Sequence, residues 1–344
     1  MNILQYCPAY RPSVGGLEFV VHTLAREFTD LGHKSRILTT QAGAWIDDAE
    51  LGVVRRPGVA AQLAAIRWAD AVVCHQDVLA LAWPLALFRK PALMMIHVSP
   101  QQRRSPASLL MHHIAKHCLM NAASRSLARE VTDLFGEPCG VLPNPYDAKC
   151  FYSPHNVEAR TIDFVFVGRL AFVKGADLFV ESLAELAQSG LRPSVKIIGD
   201  GEDRPKIERL IQLYDLGAQV ELLGVLEGVQ IAEILRKTYC MVVPSRYEPF
   251  GIVSLEGRAC GCKIIATDAG GLPEASGADA IIVPHSNLEA LAPALQSILE
   301  QKDSAREAAR TLGSVDVSLV RHEPRSVAAA FLESLESQTL NKSG

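Results

Sequence analysis

Two cations five positions apart, Arg169 and Lys174, stand in the stretch Phe166-Val-Gly-Arg-Leu-Ala-Phe-Val-Lys-Gly175. Such a pair can neutralise a diphosphate, because a guanidinium grips two oxygens while an ammonium acts as a point charge. A second stretch, Ser245-Arg-Tyr-Glu-Pro-Phe-Gly-Ile-Val-Ser-Leu-Glu256, carries two glutamates eight positions apart. Pro249 and Gly251 mark a turn there, and a helix is expected to begin near Phe250. The early N–H groups of that helix would point at the same anion. Carboxylates cannot serve phosphates, so Glu248 and Glu256 must do other work: Glu256 can accept from vicinal ribose hydroxyls and Glu248 from sugar hydroxyls. A third stretch, Pro-Ser-Val-Gly-Gly-Leu-Glu at 12–18, offers Gly15 and Gly16 for close backbone approach just before a helix N-terminus. A fourth, Thr-Asp-Ala-Gly-Gly-Leu-Pro-Glu at 267–274, is by itself only a glycine turn after a strand. Each has a plainer reading as solvated cations, a tight turn or a first-turn helix acid.

The elements that must position these loops alternate from end to end. Short β-branched runs are followed by amphipathic stretches, the pattern of parallel α/β sheets. In the first half, residues 2–6, 35–39, 71–74 and 92–97 read as strands. Residues 17–31 form a helix whose apolar Leu17, Val20, Val21, Leu24 and Phe28 share one face, with Gly32 just past its end. The second half restarts the pattern, with strands at 163–167, 194–198, 219–223, 240–243 and 263–266. Helices are predicted near 175–188, 203–215, 228–237, 251–260 and 287–300. A polar, proline-bearing stretch at 143–156 is the linker candidate. The expected domains are 1–147 and 148–322, followed by a helix and tail at 323–344 that pack back on the first domain. The stretch 121–127 is poor in strand formers where a further strand is expected.

Composition narrows the class. The chain has 344 residues, 49% hydrophobic and 21% charged, with net charge −4, as for a globular protein with two sizeable cores. The start MNILQYCP reads as a buried strand without a basic leader, and no apolar run is long enough to span a bilayer. A cytoplasmic protein is expected, with peripheral attachment at the inner face of a membrane compatible with the slight basic excess of residues 1–150. No basic run or aromatic signature points to nucleic acid. The eight cysteines contain no CxxC pair and read as reduced thiols. His112, His113 and His117 have helical spacing suited to zinc, but no carboxylate or cysteine at matching spacing completes a site.

Taken together, the four loops resemble the retaining glycosyltransferases of family four. The likeness runs from GGLE through GRLAFVKG, IIGDGED, VPSRYEPFGIVSLE and DAGGLPE, and is strongest in the second half. The resemblance implies the GT-B architecture, two Rossmann-like β/α/β domains facing a central cleft. The first domain would bind the acceptor and the second the nucleotide-sugar donor. It implies donor contacts from Gly15, Gly16, Arg169, Lys174, Phe250, Gly251, Ile252, Val253 and Glu256. It assigns catalytic roles to His97, Arg169, Lys174 and Glu248, with His97 facing the sugar. The implied activity is transfer of a hexose-type sugar from a UDP- or GDP-sugar to a hydroxyl acceptor, a glycan or glycolipid, with no cofactor and no metal. Arg103 and Arg104, in the loop at 99–108, are candidates for acceptor contact. One departure is Leu142-Pro-Asn-Pro-Tyr-Asp147, where the family carries Asn-Gly-Val-Asp.

Other readings remain open on the residues alone. A dehydrogenase would suit two Rossmann-like domains, but the first strand–helix turn lacks GxGxxG. A phosphorylase or nucleotide-sugar epimerase shares the fold, and a phosphorylase would need a lysine for pyridoxal phosphate. A non-catalytic sugar-nucleotide-binding partner need not keep Arg169, Lys174, Glu248 and Glu256 together.

Overall fold

The computed structural model describes residues 1–13, 15–100, 106–154, 160–285, 287–307 and 316–341. The chain divides into two compact units: residues 1–145 with 321–344, and residues 146–320. Each is an α/β unit built on one parallel sheet.

Unit 1 runs β1 (Asn2–Cys7), α1 (Gly16–Asp30), β2 (Lys34–Thr39), β3 (Val53–Arg55), α2 (Val59–Trp68), β4 (Ala71–His75) and α3 (Leu79–Ala82). It continues with β5 (Ala92–Ile96), α4 (Pro106–Ala115), β6 (Leu119–Ala122), α5 (Arg125–Phe135) and β7 (Cys139–Val141). The sheet order is β3-β2-β1-β4-β5-β6-β7. Strands β4 and β5 are buried along their whole length, so they read as unbroken apolar runs rather than alternating ones. The α1 face is the predicted one, with Val20, Val21, Leu24 and Phe28 buried and Gly32 left-handed just past the end.

Unit 2 runs β8 (Ile162–Val167), α6 (Ala176–Gln188), β9 (Val195–Ile198), α7 (Arg204–Leu213), β10 (Val220–Gly224), α8 (Gly228–Arg236) and β11 (Thr238–Val243). Then come α9 (Ile252–Ala259), β12 (Lys263–Thr267), α10 (Leu272–Ser276), β13 (Ile281–Val283) and α11 (Leu291–Glu307). Its order, β10-β9-β8-β11-β12-β13, repeats that of the first six strands of unit 1, without a counterpart of β7. In both sheets the order reverses between the first and fourth strands, and ligands in such folds bind beyond the strand carboxyl ends at that reversal.

After unit 2 the chain returns to unit 1 as α12 (Pro324–Asn341), which packs on α1 and β5. Gln338 anchors it: its side-chain oxygen accepts from the Ala92 N–H at 2.6 Å and its amide donates to the His117 carbonyl at 3.2 Å. Near the crossing, His322 Nδ1 meets the Asn144 carbonyl at 2.9 Å, tying the leaving and returning segments together within unit 1.

Several elements differ from expectation. The strands β3, β7 and β13 have three residues each and lie at or next to sheet edges, too short to carry a periodic signal. Strand β6 reaches only the first two residues of the stretch 121–127, paired between β5 and β7, and the rest of that stretch leads into α5 through its cap, Ser124. Helix α9 starts at Ile252 rather than Phe250, and α11 starts at Leu291 because Leu288–Ala290 is a tight 3-10 turn. All eight cysteines are free thiols. No helix among the described residues is long and apolar enough to cross a membrane.

Leu335, fully buried on α12, tests the weight of the returning segment. Leu335→Ala is expected to cost about 2–5 kcal/mol, while Ser337→Ala on the exposed face costs under about 0.5 kcal/mol. Urea titration followed by circular dichroism measures both.

Candidate active site

In unit 2 the loop after β8 and the loop after β11 flank the point where strand order reverses. They carry Arg169 and Lys174 on one side and Glu248 on the other. Lys174 Nζ meets Glu248 Oε2 at 2.5 Å, with Glu248 91% buried and Ser245 Oγ at 3.5 Å from the same oxygen. Arg169 is exposed and, among the described residues, has no ion-pair partner. A free cation, a cation held by a carboxylate and a helix start therefore belong to loops that leave adjacent strands, β8 and β11.

Close backbone packing fixes these loops. Gly175 is left-handed, and a Cβ there would lie 2.0 Å from the Pro244 carbonyl oxygen, so only glycine lets the Lys174 loop pass the end of β11. Gly270 is equally constrained: a Cβ would lie 2.2 Å from the Glu248 carbonyl oxygen, and the next N–H, of Gly271, donates to that oxygen at 2.9 Å. The glycine turn after β12, by itself only a loop in the sequence, is the floor on which Glu248 rests.

The brace of the Lys174 loop is Arg246. Its guanidinium pairs with both oxygens of Asp177 at 2.8 and 3.0 Å, donates to the Phe172 carbonyl at 2.7 Å and lies 4.0 Å from the Phe172 ring centre. Its backbone N–H donates to Val173 O at 2.8 Å. Lys206 adds a 2.6 Å contact to Asp177. Burial alone would raise the Asp177 carboxyl, but the two cations outweigh it and hold the group below its ordinary range. Sequence reasoning passed over all three residues. Arg246 lies inside the stretch already singled out, but its partner is 69 positions away and no local spacing reports it.

Helix α9 opens at Gly251, and Phe250 just before it is buried. Ser254 N–H turns back to the Gly251 carbonyl, while the Ile252 and Val253 amides lie in the first turn, where no helical carbonyl precedes them. Glu256 sits in the second turn. Burial of its carboxyl and then the Asp147 carboxylate push its pKa up to about 8, although the residue as a whole is only half-buried. The Cys150 and Cys260 thiols lie near it. Glu256 is not a solvated surface charge.

The remaining candidates lie in unit 1. Gly15 precedes α1 and Gly16 is its first residue; the Glu18 carboxylate lies over Gly15, 2.6 Å from where a Cβ would be. An anion approaching this helix end would have that carboxylate to displace. His97 follows β5 and is 8% exposed. Its N–H donates to Gln76 Oε1 at 3.0 Å, Val98 N–H does the same at 3.2 Å, and Gln76 Nε2 returns a bond to the Val98 carbonyl at 3.0 Å. Gln76, itself left-handed at φ 74°, thus clamps the backbone that carries His97. Burial holds His97 down to about 4, so its ring is neutral at pH 7. Arg103 and Arg104 lie outside the described residues. His112 stacks on Phe135 and His113 packs edge-on against His117, and no group of three metal-ligating side chains occurs among the described residues.

Residues 153–312 match the family model described as Glycosyl transferases group 1. The matched segment holds Arg169, Lys174, Glu248 and Glu256. A glycogen synthase of Mycobacterium tuberculosis is 27% identical over 193 residues, 54% of this chain and 47% of that protein. The alpha-D-kanosaminyltransferase of Streptomyces kanamyceticus is 32% identical over 141 residues, 40% of this chain and 36% of that protein. The matches thus span under half the length of these curated relatives. Among solved structures, Anabaena Alr3699/HepE in complex with UDP superposes with a TM-score of 0.78 at 18% identity, covering 98% of this chain and 100% of that one. At that identity the likeness shows the fold, two Rossmann-like parallel sheets as in GT-B glycosyltransferases.

The raised Glu256 carboxyl has a measurable consequence. The folded chain binds this proton more tightly than the unfolded chain, so stability falls as pH climbs from the ordinary carboxyl range to about 8. Glu256→Gln removes that dependence. Its melting temperature is expected to gain on the unsubstituted protein between about pH 5 and about pH 8.5. A difference that stays constant across that range contradicts the assignment.

Proposed function

We propose that the chain is a retaining glycosyltransferase that moves a hexose-type sugar from a UDP- or GDP-sugar to a hydroxyl of a glycan or glycolipid, in polysaccharide or glycolipid synthesis. The observation that carries the reading is the convergence of Arg169, Lys174, Glu248 and the start of α9 on loops after β8 and β11. Arg169 and Lys174 bind the donor diphosphate and stabilise the charge that grows on it as the sugar leaves. The first-turn amides at Gly251, Ile252 and Val253 add donors to the same anion. Glu256 takes the ribose hydroxyls, and Glu248, released as Lys174 turns to phosphate, orients the sugar. Gly15, Gly16 and His97 enter on the resemblance alone.

With no enzyme carboxylate assigned as nucleophile, retention follows a front-side path. The acceptor hydroxyl attacks the face from which the diphosphate departs, and a phosphate oxygen takes its proton. The transition state is oxocarbenium-like, without the paired-carboxylate geometry of retaining hydrolases. Fixed positive charge then supplies what a divalent ion supplies elsewhere, and transfer is expected to proceed in EDTA. A cytoplasmic location at the inner membrane face belongs to the same proposal.

The test is a thermal-shift screen of UDP, GDP, ADP and their sugar conjugates, with and without EDTA. A ligand at 100 times its Kd adds about 2.7 kcal/mol of stability, so one nucleotide class should raise the melting temperature regardless of EDTA. A response to NAD or pyridoxal phosphate alone overturns the reading. Lys174→Ala is expected to slow transfer by about 10²–10³-fold, as when one preorganised donor is removed. Glu256→Ala instead weakens nucleotide binding up to about tenfold, the weight of one ordinary hydrogen bond. Small, equal effects of both on turnover and affinity contradict the assigned roles.

A further inference from the structure

The carboxyl ends of the central strands in unit 1 carry a chain of buried polar side chains that the proposed chemistry has not used. Gln5 lies on β1, His75 ends β4 and His97 follows β5, with exposures of 0, 0 and 8%. Gln5 Nε2 donates to Ser35 Oγ at 3.1 Å, which leaves Oε1 facing His75 Nε2 at 2.9 Å. An amide oxygen only accepts, so His75 Nε2 carries its proton. A neutral imidazole has one N–H, so His75 Nδ1 must accept. Its partner is His97 Nε2 at 3.1 Å, which therefore donates. His97 Nδ1 is left without a proton and, among the described residues, without a partner.

Packing holds both rings in this order. Their planes lie within 20° of each other with centres 5.4 Å apart, and Phe331 of α12 lies against the His75 ring at 6.5 Å. The Gln76 clamp fixes the His97 backbone from the other side. Among the described residues, the groups that meet these rings are uncharged: Gln5 on β1, Phe331 on α12 and each other. Turning His97 to its other tautomer would set a bare ring nitrogen against His75 Nδ1, leaving both buried atoms without a proton to share.

We propose that His75, oriented by Gln5, is a positioning residue that fixes His97 as the Nε2–H tautomer and so presents His97 Nδ1 as an acceptor for a hydroxyl of the sugar substrate. The identity of that ligand rests on the transferase reading, whereas the tautomer does not. The residue is one step removed from the substrate and works only through His97.

The experiment is a long-range proton–nitrogen correlation spectrum of the full chain labelled with ¹⁵N-histidine at pH 7, with the two rings assigned from His75→Asn and His97→Ala. The unsubstituted protein is expected to show both rings as Nε2–H tautomers. His75→Leu removes the acceptor, so His97 becomes mixed or Nδ1–H and kcat falls about 10–100-fold, by analogy with the loss of partners that orient metal-bound imidazoles. His75→Asn, whose Oδ1 takes the place of Nδ1, retains the His97 tautomer and restores turnover to within a few-fold. In the His97→Ala background, His75→Leu costs nothing further, which a merely structural role would not predict. Should His75→Leu fail to fold, Gln5→Leu provides the second reading: both rings lose their single tautomer. An Nδ1–H form of His97 in the unsubstituted protein overturns the proposal, as does a tautomer indifferent to His75→Leu and Gln5→Leu. Failure of the unsubstituted protein to transfer sugar from any nucleotide donor would instead sink the transferase reading, with the tautomer result standing apart from it.

Discussion

The Lys174–Glu248 pair sits at 2.5 Å between the loops that follow β8 and β11, and two left-handed glycines with an arginine brace keep it there. Lys174 is about a third exposed while Glu248 is nearly buried, so the pair is not a surface ion pair worth at most ~1 kcal/mol. A buried carboxylate without its cation is left uncompensated, so Glu248 can give up Lys174 only where other donors, such as hydroxyl groups, replace it. Gly175 lets the cation's loop pass β11, Gly270 supports the carboxylate's backbone, and Arg246 with Asp177 braces the loop from outside. The result is a lysine held in place before any ligand arrives. In the proposed function a diphosphate takes that lysine over, since it offers more negative charge than one carboxylate, and Glu248 turns to hydroxyl groups.

Much of this was legible in the sequence, for physical reasons. The buried central strands are unbroken apolar runs, and the cations and glutamates lie in loops whose glycines and proline mark the strand ends. The alternation of strand and helix implied two parallel sheets, and the same strand order in both is consistent with that reading. What was not legible is long-range pairing. Arg246 and Asp177 are 69 positions apart, and His75 and Gln5 are 70 apart, so nothing local joins them. Three-residue strands such as β3 and β13 were equally hidden, because their pairing comes from the neighbouring strand rather than from their own pattern. Glu256 was placed by spacing, but its raised pKa depends on burial and on Asp147, which only the folded chain brings near.

The two units use one strand order for different ends. In unit 2 the reversal point gathers charge, with cations, carboxylates and a helix start. In unit 1 it gathers neutral polar groups: Gln5, Gln76 and two uncharged imidazoles. The first set suits a phosphate, and the second suits hydroxyl groups that need directed acceptors rather than a field. That contrast follows from burial, since desolvation keeps the two histidines neutral, whereas Arg169 is exposed and Lys174 partly so.

In the proposed function, fixed side-chain charge centred on Lys174 reads a diphosphate without a metal. Isothermal calorimetry in EDTA, comparing the selected nucleotide sugar with its bare nucleoside, tests it most directly. Two charge-assisted hydrogen bonds at about 1.5–3 kcal/mol each predict that the nucleoside binds at least about 100-fold more weakly. Equal affinities, or binding of the nucleotide sugar only after a divalent cation is added, would contradict the account.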